Sequence, residues 1–398
     1  MSKLLFVNGN LHGHINPTLP IVKELVRRGE EVYYFSTKEF QSKIVATGAI
    51  FMDYGEEFNQ FIKDFQPHGS HPFYTLMEYM LALNRAVIPI VLRQTEGMIF
   101  DALLHDVMFG GGNILAKMMN IPSIASCSSF VMEKPPLPAR MLEPGFHPQL
   151  DYLYGTLNKV RTEWHTPDLQ LSDIFFQHAD RTLVYTSRRF HPLGESYNSS
   201  FLFVGPSIMD REEKLDFPIN TSEGMKLIYI SLGTISNNCI DFYNKCLETF
   251  AGRNYQVVIS LGNKTNVAAL NSIPENFVIK NYIPQLELLK LADVFISHGG
   301  LNSVSEALYY GVPTLAIPQA NDQPAVARRL TELGAGLELN MTELTSGLLL
   351  QTVEELLFNP DYKKQCIALG ETFRQAGGYE RATIEIIQYL KAFDLNSL

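Results

Sequence analysis

The stretch SHGGLNSVSEALYYGVPTLAIPQANDQ, residues 297–323, decides the fold. It follows the apolar run Val294–Ser297, read as a strand, and passes through His298 and two glycines into a helical pattern over 302–310. Gly311 closes that helix at a C′ position, and Pro313 precedes a second strand pattern, Thr314–Ile317. Strand, glycine turn, helix and strand in succession make the unit of a parallel α/β sheet. Gly299 and Gly300 let backbone N–H groups approach a ligand closely. The first helical turn, with Asn302 and Ser303, offers unpaired N–H groups and the positive end of the helix dipole to an anion. His298 adds a side-chain donor at the same spot. Glu306 lies one turn further, within reach of a ribose diol. Asn321, Asp322 and Gln323 emerge at a strand C-terminus, where α/β sheets bind ligands. A lone Gly-Gly pair is usually an ordinary turn; these residues together, at this spacing, point to a bound phosphate.

The same alternation runs outward in both directions. Lys226–Ser231, Gln256–Ser260 and Phe277–Lys280 read as further strands, with helices at 240–251, 285–290, 322–332, 343–357, 360–375 and 379–393. In the first half, Leu4–Val7, Glu31–Phe35, Ile50–Met52, Ala102–Asp106, Ile124–Ser126, Thr182–Tyr185 and Phe201–Val204 read as strands. Helices are expected at Thr18–Arg28, 38–46 and Phe73–Thr95, the last open to a break at Pro89. The stretch 128–178 is punctuated by prolines and reads as an insertion with helical pieces, an apolar wall. Residues 205–224, GPSIMDREEKLDFPINTSEG, are charged and hold two prolines, which marks the best boundary. The division expected is an N-terminal domain at 1–210, a C-terminal domain at 225–375, and a last helix, 376–398, returning to the first domain.

Composition agrees with two cores. The chain has 398 residues, 46% hydrophobic and 19% charged, and single cores stop growing near ~250–300 residues. The 32 basic residues against 42 acidic ones give a formal charge of −10, which disfavours nucleic acid and anionic membranes as partners. Cys127, Cys239, Cys246 and Cys366 form no C-x-x-C pair, which suits a reducing cytoplasm without a disulfide framework or zinc site. The opening MSKLLFVNGN holds a four-residue apolar stretch, Leu4–Val7, short of the ~7–15 of a secretory signal, and reads as a first strand. No run approaches the ~18 apolar residues of a membrane span.

The second informative segment is Gly9–Pro17, GNLHGHINP, directly after the first strand. His14 then stands at a strand C-terminus. A hydroxyl is a weak nucleophile near neutral pH, and an imidazole has the right pKa range to take its proton. A carboxylate behind the ring would fix its tautomer and stabilise the imidazolium. Asp106, ending the run Ala102–Asp106, reaches the same sheet edge; the plainer alternative is that it caps the helix after Gly110–Gly112. His12, two residues away, competes with His14 as the base. Gly110–Gly112 is followed by no Lys-Ser/Thr, and Gly262-Asn263-Lys264-Thr265 lacks the Walker spacing, so neither is a P-loop.

The segment Tyr282–Gln323 resembles the signature of the family 1 glycosyltransferases, enzymes that use nucleotide-activated sugars. The aromatic followed by Pro-Gln is matched by Tyr282, Pro284 and Gln285; His-x-Gly-x-x-Ser by His298, Gly300 and Ser303; Glu306 and the Asp322-Gln323 pair complete it. The HGHINP start and the SLGT strand end resemble the bacterial macrolide-type branch. The resemblance implies the GT-B fold: two Rossmann-like, doubly wound parallel-sheet domains facing across a cleft. It implies that Tyr282, where plant relatives have Trp, stacks on the base, with uracil ahead of thymine, and that Gln285 contacts base or ribose. His298 and the Asn302–Ser303 amides would bind the diphosphate, and Glu306 the ribose. Asp322 and Gln323 would hold the sugar, glucose by analogy, while Ser231 and Thr234 line the phosphate side. It also makes His14 the base and Asp106 its partner, in an inverting transfer to an alcohol.

The sequence holds no Asp-x-Asp, so no divalent ion is expected on the diphosphate, and the UDP-sugar is a co-substrate with no cofactor required. Phe65, Met77, Ser128, Phe130 and Met132 are candidate acceptor contacts, in a pocket suited to phenols, flavonoids or macrolides. A nucleotide-sugar epimerase, a cell-wall GlcNAc transferase and a non-catalytic nucleotide-sugar sensor stand as alternatives. Acceptor identity and oligomeric state are not legible.

Overall fold

A computed structural model describes residues 1–132, 137–175, 179–209, 213–220, 224–233 and 238–396. The chain divides into two units. One comprises Met1–Val184, Tyr197–Phe203 and Tyr379–Leu398; the other comprises Tyr185–Ser196 and Val204–Gly378. Residues Tyr185–Ser196 thus group with the second unit although they precede the 205–224 stretch.

The first unit is built on a seven-stranded parallel sheet. Its strands are β1 (Lys3–Val7), β2 (Glu31–Ser36), β3 (Ile50–Asp53), β4 (Ala102–Asp106), β5 (Ser123–Cys127), β6 (Arg181–Val184) and β7 (Phe201–Phe203), in the order β3-β2-β1-β4-β5-β6-β7. The order reverses between β1 and β4. Val7 pairs with His105 across that boundary, so the loops after both strands leave the sheet side by side. This is the topological switch point, where doubly wound sheets bind ligands.

The second unit repeats the plan. Its strands are β8 (Lys226–Ser231), β9 (Tyr255–Ser260), β10 (Phe277–Lys280), β11 (Val294–Ser297), β12 (Thr314–Ala316) and β13 (Gly336–Glu338), in the order β10-β9-β8-β11-β12-β13. The reversal falls between β8 and β11, where Ser231 pairs with Ser297. Helices cover both faces, so the strands read as unbroken apolar runs. In β8, Ile228 and Ile230 enter one core with Val257, Ile259, Ile296 and Leu315. Leu227 and Tyr229 enter the other with Val258, Phe295 and Leu288.

Two local expectations change. The helix Pro72–Gln94 is continuous through Pro89. Pro89 and Arg85, four residues earlier, both lie on the exposed side, so water can satisfy the carbonyl that loses its N–H partner. That helix is also long and apolar enough by composition to cross a bilayer, but Tyr74, Met77, Leu81, Val87, Ile88 and Val91 bury it in the core of the first unit. The helix Gly55–Asp64 and the three-residue β13 are additional elements. All four cysteines are free thiols, and three of them are buried.

Candidate active site

At the switch point of the first sheet, His14 Nδ1 lies 2.7 Å from Asp106 Oδ2. Asp106 is fully buried. Its second oxygen accepts the Met108 N–H at 2.8 Å, so both carboxylate oxygens are engaged. The helix Gly112–Met119 begins at Gly111 with no side-chain cap; Asp106 therefore serves the histidine and the following turn, not that helix. A neutral His14 that donates Nδ1–H to the carboxylate carries its basic lone pair on Nε2. His12 is engaged elsewhere, with Nε2 3.1 Å from Glu39 Oε1 and its ring edge-on to Phe40 at 4.7 Å. The structure thus brings His14, not His12, to the buried carboxylate.

A polar network beneath this loop fixes it. Asn8 is fully buried; its side chain donates to the His14 carbonyl at 3.2 Å and to the Tyr34 hydroxyl at 2.9 Å, and accepts the Gly9 N–H at 2.7 Å. The Tyr54 hydroxyl donates to the Asn8 carbonyl at 2.8 Å, and the Ser36 hydroxyl to the Gly9 carbonyl at 2.8 Å. The Tyr34 and Thr18 oxygens are 2.7 Å apart. Burial pushes both tyrosine pKa values up, with the Asp106 charge adding to the effect. Such a satisfied network makes a loop adopt one conformation. None of Asn8, Tyr34, Tyr54 and Ser36 was a sequence candidate; each looks in sequence like a strand or core residue.

In the second unit, the loops after β8 and β11 converge on His298. A Cβ placed on Gly233 would come within 2.7 Å of the His298 ring, and one on Gly300 within 2.6 Å. The imidazole therefore occupies room that exists because both positions are glycine, and Gly233 holds φ +78° as well. Burial lowers the His298 pKa to about 4. The ring is neutral near pH 7 and presents a single N–H. The helix Leu301–Tyr309 starts at Gly300 with no side chain capping it, so its first-turn amides face the position beside His298 with the positive dipole end behind them. Ser231 is buried at the end of β8. Thr234 lies outside the described residues.

Further along, Gln285 Nε2 donates to Glu306 and lies 3.5 Å from the Ser303 hydroxyl. The Tyr229 hydroxyl donates to Gln285 Oε1 at 3.2 Å. Gln285, Ser303 and Glu306 are therefore neighbours, with the buried Tyr229 beneath them. Tyr282 stands exposed, its hydroxyl donating to Glu213 at 2.6 Å. Asp322 opens the helix Gln323–Glu332 without capping it by its side chain. Gln323 is buried; its amide oxygen accepts the Gln319 and Ala320 N–H groups at 2.8 and 3.1 Å, leaving the amide nitrogen as the donating end.

The model for the C-terminal domain of erythromycin biosynthesis protein CIII-like proteins matches residues 244–377. The uncharacterized UDP-glucosyltransferase YojK of Bacillus subtilis is 33% identical, over 98% of this chain and 98% of its own. The NDP-glycosyltransferase YjiC of Bacillus licheniformis is also 33% identical, over 95% of both chains. The chain belongs to the bacterial family 1 glycosyltransferases. The crystal structure of the glycosyltransferase of kitacinnamycin is 27% identical and covers 98% of each chain with a TM-score of 0.85. Two parallel-sheet Rossmann-like units are the GT-B fold, as the sequence resemblance implied.

In this glycosyltransferase the acceptor candidates differ in exposure. Met77 is buried in the core of the first unit. Phe65 is half-buried, edge-on to Tyr79 at 5.1 Å. Ser128 and Phe130 are buried just beyond β5, and Met132 is 39% exposed. Gly110–Gly112 serve packing: a Cβ at Gly110 would meet Val7 and Val87, one at Gly111 would meet Ile88, and one at Gly112 would strike the His105 ring. Gly233 and Tyr229 are the residues of the second unit that sequence reasoning missed. SLGT was a visible signal for the first; nothing marked the second.

Proposed function

We propose that this glycosyltransferase transfers glucose from UDP-glucose to a hydroxyl of a small apolar acceptor, a phenol, flavonoid or macrolide, with inversion at the anomeric carbon. His14 takes the acceptor proton on Nε2 as the oxygen attacks. The bond to the diphosphate breaks, and UDP leaves carrying the electron pair. Asp106 holds the ring and stabilises the imidazolium. The observation that carries the reading is the 2.7 Å contact of His14 with a fully buried carboxylate at a sheet switch point. Such a pair is built for proton transfer, and a nucleotide-sugar sensor has no use for it.

On the donor side, the support is chemical. A neutral imidazole, first-turn amides and a helix dipole can stabilise a leaving diphosphate without a divalent ion, and the sequence contains no Asp-x-Asp. Glu306 and Gln285 suit the ribose, Tyr282 the base, and Asp322 with Gln323 the sugar. Glucose and uracil follow the name of the Bacillus subtilis relative. The erythromycin and kitacinnamycin names support an antibiotic-like acceptor. An epimerase or a GlcNAc transferase gains no support from these names.

The test pairs donor and base. A thermal-shift panel of nucleotide sugars, run with and without EDTA, should raise Tm most with UDP-glucose and equally in both buffers. His14→Ala should bind UDP as before and lose about 10²–10⁴-fold in turnover on a phenol. Undiminished turnover by that variant would remove His14 from the chemistry.

A further inference from the structure

Residues 213–220 read in sequence as part of a charged boundary between domains, yet they lie along the second unit as a strap. Their exposure alternates residue by residue. Leu215, Phe217 and Ile219 turn inward onto the core formed by Leu227, Tyr229, Val258, Ile283 and Leu288. The Gln256 amide on β9 grips one end, accepting the Asn220 N–H at 2.6 Å and donating to the Pro218 carbonyl at 3.2 Å. Lys280, the last residue of β10, pairs with Asp216 at 2.5 Å and sits 5.5 Å over the Phe217 ring. At the other end, Glu213 accepts the Tyr282 hydroxyl at 2.6 Å.

Tyr282 is 61% exposed. An exposed tyrosine ordinarily samples several rotamers, and ordering such a side chain on binding weakens a ligand by about 2–10-fold. A charge-assisted hydrogen bond at this distance removes much of that freedom in advance. The bond engages the hydroxyl, and at that exposure part of the side-chain surface is open to a flat partner. We propose that Glu213 is a positioning residue for nucleotide recognition. Its carboxylate holds the Tyr282 ring in the orientation that receives the base, and the strap is what carries it there. The proposal rests on the reading that Tyr282 contacts the base.

The experiment measures UDP and inorganic pyrophosphate affinities by calorimetry for the full-length enzyme and for Glu213→Ala, Glu213→Gln, Tyr282→Phe, Tyr282→Ala and the Glu213→Ala/Tyr282→Phe double variant. Glu213→Ala and Tyr282→Phe should each weaken UDP by about 2–10-fold. The double variant should be no worse than either, because both remove one interaction. Glu213→Gln, which keeps an acceptor oxygen, should recover part of the loss. Pyrophosphate, which has no base, should bind every variant alike, and the kinetic change should fall on donor KM rather than kcat. Additive effects, or a pyrophosphate loss equal to the UDP loss, would show that Glu213 acts only on the general stability of the unit. UDP binding unchanged in Glu213→Ala but weakened in Tyr282→Ala would overturn the proposal and keep the base reading. UDP binding unchanged in Tyr282→Ala would overturn both.

Discussion

His14 and Asp106 stand 92 positions apart in the chain, and their side chains meet at 2.7 Å. The contact follows from topology. β1 and β4 are adjacent because the strand order reverses there; Asp106 ends β4, and His14 lies in the short helix His12–Ile15 that follows β1. Replacing Asp106 with Asn keeps the shape but removes the charge and lets the ring take the other tautomer. The expected result is a loss of about 10²–10⁴-fold in kcat with UDP affinity unchanged. An acceptor already ionised at the assay pH should escape most of that loss. Steady-state rates on a series of phenols of graded acidity check both expectations.

Gly300→Ala tests the proposed donor site. The new methyl would lie 2.6 Å from the His298 ring, closer than a Cβ is tolerated, so the imidazole must move away. We expect UDP affinity to fall by at least about 10-fold, the equivalent of one lost charge-assisted hydrogen bond. Gly233→Ala adds backbone strain at φ +78°, of about 1–2 kcal/mol for a non-glycine residue, and should lower Tm as well. Calorimetric titration with UDP and a melting curve separate the two effects.

The buried imidazole of His298 gives stability a pH dependence of known sign. Its pKa falls from 6.5 to about 4 on folding, so the unfolded chain binds the proton more readily. This contribution is complete above pH 6.5 and is lost as pH falls toward 4, by a few kcal/mol at most. Tm of the parent should therefore decline across that window more steeply than Tm of His298→Asn. A bound diphosphate favours the protonated ring, so UDP binding near pH 5 should take up protons, measurable as a dependence of the calorimetric heat on the buffer's ionisation enthalpy.

Tyr34→Phe tests the scaffold under His14. It removes the hydroxyl that meets both Asn8 and Thr18. A buried donor or acceptor left unpaired costs about 1–3 kcal/mol. Tm should fall accordingly, and kcat should fall with it because Asn8 also ties down the His14 carbonyl. A drop in Tm with kcat intact would mean that the loop holds its place without this network.

The sequence by itself determined the two-sheet α/β plan, because parallel strands buried on both faces leave continuous apolar runs such as LIYI at 227–230. It also marked the glycine turn and helix start at His298–Ser303 and put His14 and Asp106 beyond or at strand ends, because turns, helix starts and strand ends are local features with local residue preferences; the pairing of the two came from the family resemblance. Only the tertiary structure decided what lies beneath and beside them. That Gly233 makes room for His298, that Asn8 anchors the His14 loop, that His12 belongs to Glu39, and that the charged boundary is a strap ending on Tyr282 all depend on residues far apart in the chain. Such contacts are set by strand order and register, and no single residue's chemistry announces them.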